Sequence, residues 1–363
     1  MKSKYIAILS SGTGGHVYPA YTVSQEFIKK GYKILWIGTN NGIENRIVNN
    51  KSITIKHISA RGIRGKAFTS VIKSIFMFFK SIFQSFIIYN KYKPVLTFGF
   101  GGFVSVSGVL VSFLYRIPVI IHEQNSVPGT ANKINYFFSK KIFETYPNSF
   151  NKNIDKIIHT GNPVRKAFSS LTTPEEKFKT DKSYLNILII GGSQGSDFFN
   201  ECLPFVFSHF DNKNISITHL SGLNKSDNVL EKYKKYDLDV KVLDYSDNIE
   251  KLYEWSNLII CRSGSTSISE IAKIGRAAIL VPFPFATDEH QLKNATFLAN
   301  QSACMLVKQQ ETFTEDLVNI INILLNDQRR MYILSKNIQD IFPNDTINII
   351  LKETEKILNN IDD

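Results

Sequence analysis

The chain twice runs an apolar segment of strand length straight into a glycine-rich loop, and this repetition constrains its fold more than any other feature. Residues 5–10 lead into Ser11-Gly12-Thr13-Gly14-Gly15-His16, and residues 185–190 lead into Gly191-Gly192-Ser193-Gln194-Gly195. Behind each opening, strand-length and helix-length segments alternate, as parallel α/β folds require. In the first cycle residues 20–30 read as a helix ending near Gly31, and residues 33–38, 95–98 and 119–122 read as strands. In the second, strands fall at 216–220, 240–243, 258–261 and 278–281. Two openings about 180 residues apart predict two Rossmann-like domains, each built on a parallel sheet. A chain of 363 residues, 43% of them hydrophobic, has the material for two cores. The linker is expected between Asn162 and Asp181, where Pro163, Pro174 and a charged stretch break the rhythm. From Tyr332 onward the chain reads as helical with one polar face.

Charge is divided unevenly along this frame. Residues 1–165 carry 22 basic and 5 acidic side chains, a net of +17. Residues 166–363 carry 21 and 27, a net of −6, which together give the overall +11. A cationic first half points to an anionic surface or ligand, either acidic lipid or nucleic acid. Cys202, Cys261 and Cys304 show no paired spacing, which argues against a disulfide framework or a zinc site. The N-terminus lacks the small-residue cleavage site of a secretory signal, so a cytoplasmic location is expected.

Two apolar stretches bear on a membrane. Residues 94–115 carry no charge but hold glycines and serines, and read as a buried strand, a glycine turn and a helix rather than a span. Residues 68–89 differ. Lys73 and Lys80, with Ser70, Ser74, Ser81, Gln84 and Ser85, form a narrow polar stripe beside Ile75, Phe76, Phe79, Ile82, Phe83 and Phe86. A helix packed on the sheet explains one apolar face, and an interfacial helix that also meets lipid explains both. The expected membrane contacts are Lys73, Ile75, Phe76, Phe79, Lys80 and Phe83.

Chemistry-bearing residues cluster at strand ends. The first glycine loop lets a ligand approach the backbone and opens onto a helix N-terminus with unpaired amides. It lacks the Gly-x-Gly-x-x-Gly spacing, and no acidic residue closes the second strand, so a nicotinamide dinucleotide is disfavoured. His16 at the loop end is a candidate base, or a cap for the following helix. A second turn, Gly99-Phe100-Gly101-Gly102, follows another strand, and His122-Glu123-Gln124-Asn125 ends a further one. Gly161-Asn162-Pro163-Val164-Arg165 places an arginine at the domain junction, where a diphosphate would lie. In the second half, Arg262-Ser263-Gly264-Ser265-Thr266-Ser267 precedes a helix with Glu270, whose carboxylate would accept both hydroxyls of a ribose. Pro282-Phe283-Pro284 and the polar Asp288-Glu289-His290-Gln291 complete the set.

Taken together, these segments resemble the UDP-N-acetylglucosamine–N-acetylmuramyl-(pentapeptide) pyrophosphoryl-undecaprenol N-acetylglucosamine transferases of glycosyltransferase family 28. The resemblance runs the length of the chain in order, through residues 12–20, 101–107, 122–132, 161–165, 191–195, 262–270 and 282–295. It implies the GT-B fold, with two Rossmann-like domains whose parallel sheets face across a cleft. The expected domains are 1–165 for acceptor and membrane, 166–340 for UDP-GlcNAc, and 341–363 as a helix packing back on the first. It implies an inverting transfer, without metal or cofactor, from UDP-GlcNAc to the 4-hydroxyl of a lipid-linked muramyl-pentapeptide in peptidoglycan synthesis. By position, Thr13, Gly14, Gly15, Asn125, Arg165, Ser193, Ser265, Thr266, Glu270 and Gln291 match the donor site. His16 is the expected base and Glu123 the second candidate. The implied partners are the donor, the lipid acceptor and the anionic inner face of the cell membrane, and not nucleic acid. Two departures stand out: Ser11 precedes Gly12 where the family usually has two glycines, and Ser107 replaces a usual proline. Other readings on a similar fold are a UDP-N-acetylglucosamine 2-epimerase and a diacylglycerol glycosyltransferase; a membrane-attached polyanion-binding protein is the non-enzymatic one.

Overall fold

The computed structural model describes residues 4–48, 50–60, 68–152, 154–179, 185–192, 194–210 and 215–362, with backbone alone for 68–74 and 360–362. The chain forms two compact units, residues 1–165 with 343–363, and residues 166–342.

The first unit is a seven-stranded sheet: β1 (Tyr5–Leu9), β2 (Lys33–Gly38), β3 (Ile53–His57), β4 (Leu96–Gly99), β5 (Val119–Glu123), β6 (Lys141–Glu144) and β7 (Ile157–His159). Its order is β3-β2-β1-β4-β5-β6-β7, and every pairing is parallel. A parallel sheet needs cover on both faces, which is why its strands are continuously apolar rather than alternating. One face packs Val17, Ala20, Val23 and Phe27 of the helix Gly14–Lys29 together with Ile350, Leu351, Ile357 and Leu358 of the last helix, Thr346–Asp362. The other packs Tyr89 from the long helix Phe68–Tyr92 and Val104, Val109 and Val111 from the helix Phe103–Leu114. The uncharged stretch 94–115 is thus a strand, a turn and a helix. Among the described residues no helix is long and apolar enough to cross a membrane.

The second unit repeats the plan with β8 (Leu185–Ile190), β9 (Ile215–Leu220), β10 (Val240–Leu243), β11 (Leu258–Cys261), β12 (Ala277–Leu280) and β13 (Met305–Leu306), ordered β10-β9-β8-β11-β12-β13. In both sheets the strand order reverses beside the first strand, between β1 and β4 and between β8 and β11. Loops leaving the carboxyl ends of these pairs diverge to opposite faces and open a crevice. The glycine loops after β1, β4 and β8 and the Arg262 loop after β11 all lie at those points.

Three features differ from the sequence expectation. The first helix starts at Gly14, six residues before residue 20, with Pro19 inside it. Proline normally marks a first turn; here it removes only the donor that the Gly15 carbonyl would have taken. The C-terminal segment is two helices, Gln328–Gln339 in the second unit and Thr346–Asp362 in the first.

The third concerns the long helix. Its serines were expected on a narrow polar stripe, and of these Ser81 and Ser85 are fully buried. Ser81 Oγ meets Ser107 Oγ at 2.5 Å, so the small side chains form the seam against the neighbouring helix. Ser107, where proline is usual, supplies that hydroxyl. The aromatic side faces outward: Phe76 is 71% exposed and Phe79 and Phe83 are each 64% exposed.

Candidate functional site

In the first unit the loop after β1 is open where a ligand would approach. Gly12 has φ +97° with nothing near the position of an added Cβ, and Thr13 is exposed. Thr13 occupies the N-cap without a side-chain cap bond. The His16 and Val17 amides donate to the Thr13 carbonyl at 3.2 and 3.3 Å, and those of Gly14 and Gly15 ahead of them form an anion-receptive terminus. His16 is inside the helix, not its cap.

The turn after β4 meets this loop. Gly101 has φ +99°, and a Cβ there would come within 3.0 Å of His16 Nε2. Gly102 similarly faces the Ser11 carbonyl, at 3.5 Å from an added Cβ. The imidazole thus lies on bare backbone, and the two glycine turns enclose it.

At the end of β5, His122 and Glu123 are buried. His122 Nε2–H donates to the Gly161 carbonyl at 3.0 Å, leaving Nδ1 to accept from the Gln124 amide at 3.2 Å. Burial lowers the His122 pKa to about 4, so the ring is neutral and structural at physiological pH. Both oxygens of Glu123 are engaged. Oε1 accepts from the Asn125 backbone N–H at 3.0 Å and its side-chain amide at 3.4 Å, while Oε2 accepts from Gly129 N–H at 3.1 Å and Asn132 Nδ2 at 2.8 Å. Burial pushes its carboxyl above the usual carboxylate range, against the pull of these bonds. A carboxylate 2% exposed with four donors on it orders the 123–132 loop and has no lone pair directed at a substrate hydroxyl. This geometry disfavours Glu123 as the second candidate base. It also tethers Asn125, whose carbonyl accepts from Ser149 Oγ at 3.1 Å. Arg165, the last residue before the second unit, stacks its guanidinium over the Tyr18 ring at 4.7 Å.

The second unit collects the other residues. Ser193 lies outside the described residues. The glycine loop around it packs backbone on backbone: a Cβ on Gly195 would land on the Ser221 carbonyl, and one on Gly222 on the Gln194 carbonyl. Gly192, at φ +100°, is open. The helix Ser265–Ile274 begins after Gly264 with no side-chain cap bond, so no capping side chain offsets the positive end of its dipole. Thr266 Oγ1 is buried without a hydrogen-bond partner in the described structure. Glu270, one turn further on, accepts from Tyr253 OH at 3.2 Å through one oxygen. Gln291 is brought to the same place. Its carbonyl accepts from Ser263 Oγ at 2.8 Å, its Oε1 accepts from the Phe283 N–H at 3.0 Å, and Asn294 Nδ2 reaches the Ser263 carbonyl at 3.2 Å.

Arg262 holds this half together, a role that sequence reasoning did not assign. Its Nη1 donates to the carbonyls of Val281 and Pro282 at 3.3 and 3.2 Å; Nη2 donates to Ser196 Oγ at 3.1 Å and Gln309 Oε1 at 2.8 Å. Its flat face lies 4.6 Å from the Phe199 ring centroid. Burial lowers its pKa to about 10, which still leaves it charged at neutral pH. One guanidinium therefore ties the loops after β8, β11, β12 and β13.

Two Rossmann-like units with open glycine loops and an uncapped helix at their switch points are the framework of a nucleotide-binding enzyme with the GT-B fold. Residues 6–144 match the glycosyltransferase family 28 N-terminal domain and residues 186–346 match the C-terminal domain of the same family. The chain is 37% identical over 333 residues to a UDP-N-acetylglucosamine–N-acetylmuramyl-(pentapeptide) pyrophosphoryl-undecaprenol N-acetylglucosamine transferase of Haemophilus ducreyi, covering 91% of this chain and 92% of that one. It is 38% identical over 344 residues to the protein of the same name from Blochmanniella floridana, covering 92% and 93%. Among solved structures it resembles Acinetobacter baumannii MurG with a TM-score of 0.80 and 29% identity, over 97% of this chain and 99% of that one. A UDP-GlcNAc 2-epimerase from Neisseria meningitidis shares the fold alone, at 15% identity and a TM-score of 0.68. The chain belongs to this transferase branch of glycosyltransferase family 28.

The packing of Gly101 on His16 can be tested directly. Gly101→Ala is expected to lower the unfolding free energy by about 1–3 kcal/mol through its positive φ, and to shift the His16 imidazole resonances in an NMR spectrum. Unchanged stability together with unchanged His16 signals would contradict it.

Proposed function

We propose that this protein transfers N-acetylglucosamine from UDP-GlcNAc to the 4-hydroxyl of undecaprenyl-pyrophosphoryl-N-acetylmuramoyl-pentapeptide, a step of peptidoglycan synthesis. The observation that carries the reading is the match to family 28 over both units, joined to a second unit whose uncapped helix carries Thr266 and Glu270 at its start.

The reaction needs three things. A base must take the acceptor proton as the hydroxyl attacks the anomeric carbon, the leaving diphosphate must be stabilised, and the donor must be oriented. His16 is the base: it is half-buried and lies on the backbone at Gly101, and an imidazole is the side chain most often used to accept a proton. Glu123 is the anchor of the loop beside it and not the proton acceptor. Negative charge on the departing UDP falls to Arg165, to the loop containing Ser193, and to the amides at Ser265 and Thr266, whose helix dipole points its positive end outward. The Glu270 carboxylate takes the ribose hydroxyls, exchanging its Tyr253 bond for them. Gln291 and Asn125 bind the sugar side of the donor, and Thr13, Gly14 and Gly15 border the transfer point.

The enzyme works at the inner face of the cytoplasmic membrane as a peripheral protein. Ile75, Phe76, Phe79, Phe83 and Phe86 are exposed, and Phe86 packs at 5.3 Å on exposed Tyr115, which continues the surface to Phe113 and Leu114. Lys80 and Arg116 are exposed beside these aromatics, suited to anionic headgroups. Lys73 belongs to the same helix, but its side chain lies outside the described residues.

With labelled UDP-GlcNAc and the lipid-linked muramyl-pentapeptide, the protein should produce a labelled disaccharide lipid. His16→Ala should cut turnover by about 100-fold or more while leaving the donor KM within a few-fold. Wild-type protein that yields no labelled lipid, or a His16→Ala protein that turns over normally, would contradict the proposal. In co-sedimentation with phosphatidylglycerol vesicles, Phe76→Ser/Phe83→Ser should lower the partition coefficient by about tenfold or more. Equal binding of the variant and wild type would show that this face does not meet lipid.

A further inference from the structure

Phe285, in the loop after β12, is the most exposed large apolar side chain among the described residues, at 83%. A single exposed ring is ordinary on a protein surface; the backbone built around this one is not. The Ala286 N–H donates to the Phe283 carbonyl at 3.2 Å, closing a turn with Pro284 at its second position and Phe285 at its third. Proline pre-sets that second position, so the ring stands at a stiffened tip. Beyond the turn the Glu289 N–H donates to the Ala286 carbonyl at 3.0 Å, and Asp288 and Glu289 both hold φ +53°. Two successive non-glycine residues in the left-handed region persist only where the surrounding structure imposes it, and such places cluster at ligand sites. The base of the turn is tied to the switch point between β8 and β11, because Arg262 donates both to the Pro282 carbonyl and to Ser196 Oγ.

Phe283 links this tip to Gln291. Its ring meets Phe285 edge-on, centroids 5.7 Å apart, and the Arg262 guanidinium lies 5.6 Å from its centroid. Its backbone N–H donates to Gln291 Oε1 at 3.0 Å. A backbone N–H can only donate, so the amide oxygen must be the atom that faces it, and Gln291 is left to meet a ligand through Nε2, which only donates. One loop therefore offers an oriented amide donor and a fixed aromatic surface side by side, the combination that binds a ligand of mixed polarity. We propose that Phe285 is a specificity residue for the donor sugar. Its ring packs on the acetamido methyl and adjoining C–H groups of N-acetylglucosamine, while Gln291 Nε2 donates to a sugar hydroxyl. A donor carrying glucose lacks that methyl, so the ring tells the two sugars apart. The proposal rests on the reading of Gln291 as a ligand of the donor sugar.

The test uses the full-length protein, the lipid-linked muramyl-pentapeptide as acceptor, and labelled UDP-GlcNAc and UDP-glucose as donors, with UDP affinity measured by titration calorimetry. Phe285→Ala should lower kcat/KM for UDP-GlcNAc by about tenfold and for UDP-glucose by no more than about twofold, shrinking the preference between them about fivefold or more. Phe285→Tyr keeps the ring and should hold that preference within about twofold of wild type. UDP affinity should stay within about twofold in both variants, because the lost contact is with the sugar and not the nucleotide. An equal loss with both donors, or a loss accompanied by weaker UDP binding, would mean that the ring only supports the loop and would overturn the proposal. Wild-type protein that transfers from neither donor would sink the reading of the reaction and this inference with it. Wild-type protein that transfers, with the same donor preference in Phe285→Ala, would overturn the role of Phe285 alone.

Discussion

The site depends on close approach of backbone at the carboxyl ends of parallel strands, in places where no side chain fits between neighbouring loops. Sheet order alone brings the loops after β1 and β4 together, and those after β8 and β9. What that order cannot supply is the closeness. His16 can lie on the turn after β4 only because residue 101 has no Cβ, and the loop at 191–195 can lie on Ser221 and Gly222 only because residues 195 and 222 have none. Positive φ at Gly101, Gly195 and Gly222 adds a second requirement for glycine at each point. The glycines first noted as places for a phosphate thus divide into two kinds. Gly12 and Gly192 stand open to a ligand, whereas Gly101 and Gly195 are spent on packing one loop against another.

Two buried charges then hold the loops in place, one in each unit. Glu123 gathers the donors of Asn125, Gly129 and Asn132, and Arg262 gathers the acceptors of Ser196, Val281, Pro282 and Gln309. A buried ion of either sign is costly unless its hydrogen-bonding capacity is filled by well-aligned partners. Each loop conformation is therefore coupled to the others through one group, and distorting any of them leaves part of a charge unsatisfied. Such sites are rigid before substrate arrives, which is what transition-state stabilisation by fixed dipoles needs. The same bonding explains why Glu123, although a carboxylate near a transfer site, belongs to the framework. His16, whose imidazole lies on the backbone at Gly101, is the proposed base.

Much of this was legible in the sequence because parallel strands are continuous apolar runs. The limits of β2, β8, β10 and β11 coincide with those read from the pattern. The strands β3, β6, β7 and β13 were not read; they are two to five residues long, and β3 and β7 lie at a sheet edge where burial is partial and the apolar signal weakens. The helix start at Gly14 was hidden by Pro19, which local preference places at a first turn. The burial of part of the long helix's polar stripe went unread for a different reason. Serine is polar in composition but small in volume, and at Ser81, Ser85 and Ser107 the need for close helix packing outweighed solvation. Arg262 was invisible as an organising residue because its partners lie far away in sequence, Ser196 and Gln309 among them. The exposed aromatics of the long helix were legible, since a helix bearing that many phenylalanines exceeds what one core-facing side can bury.

The central claim is that the donor bond breaks only as an acceptor hydroxyl, deprotonated at His16, replaces the nucleotide. Continuous measurement of UDP release from UDP-GlcNAc, with and without the lipid-linked muramyl-pentapeptide, tests it most directly. The account predicts negligible release without acceptor and release equal to disaccharide formed when acceptor is present. Release of UDP at a comparable rate in the absence of acceptor, or conversion of UDP-GlcNAc to an epimer, would contradict it.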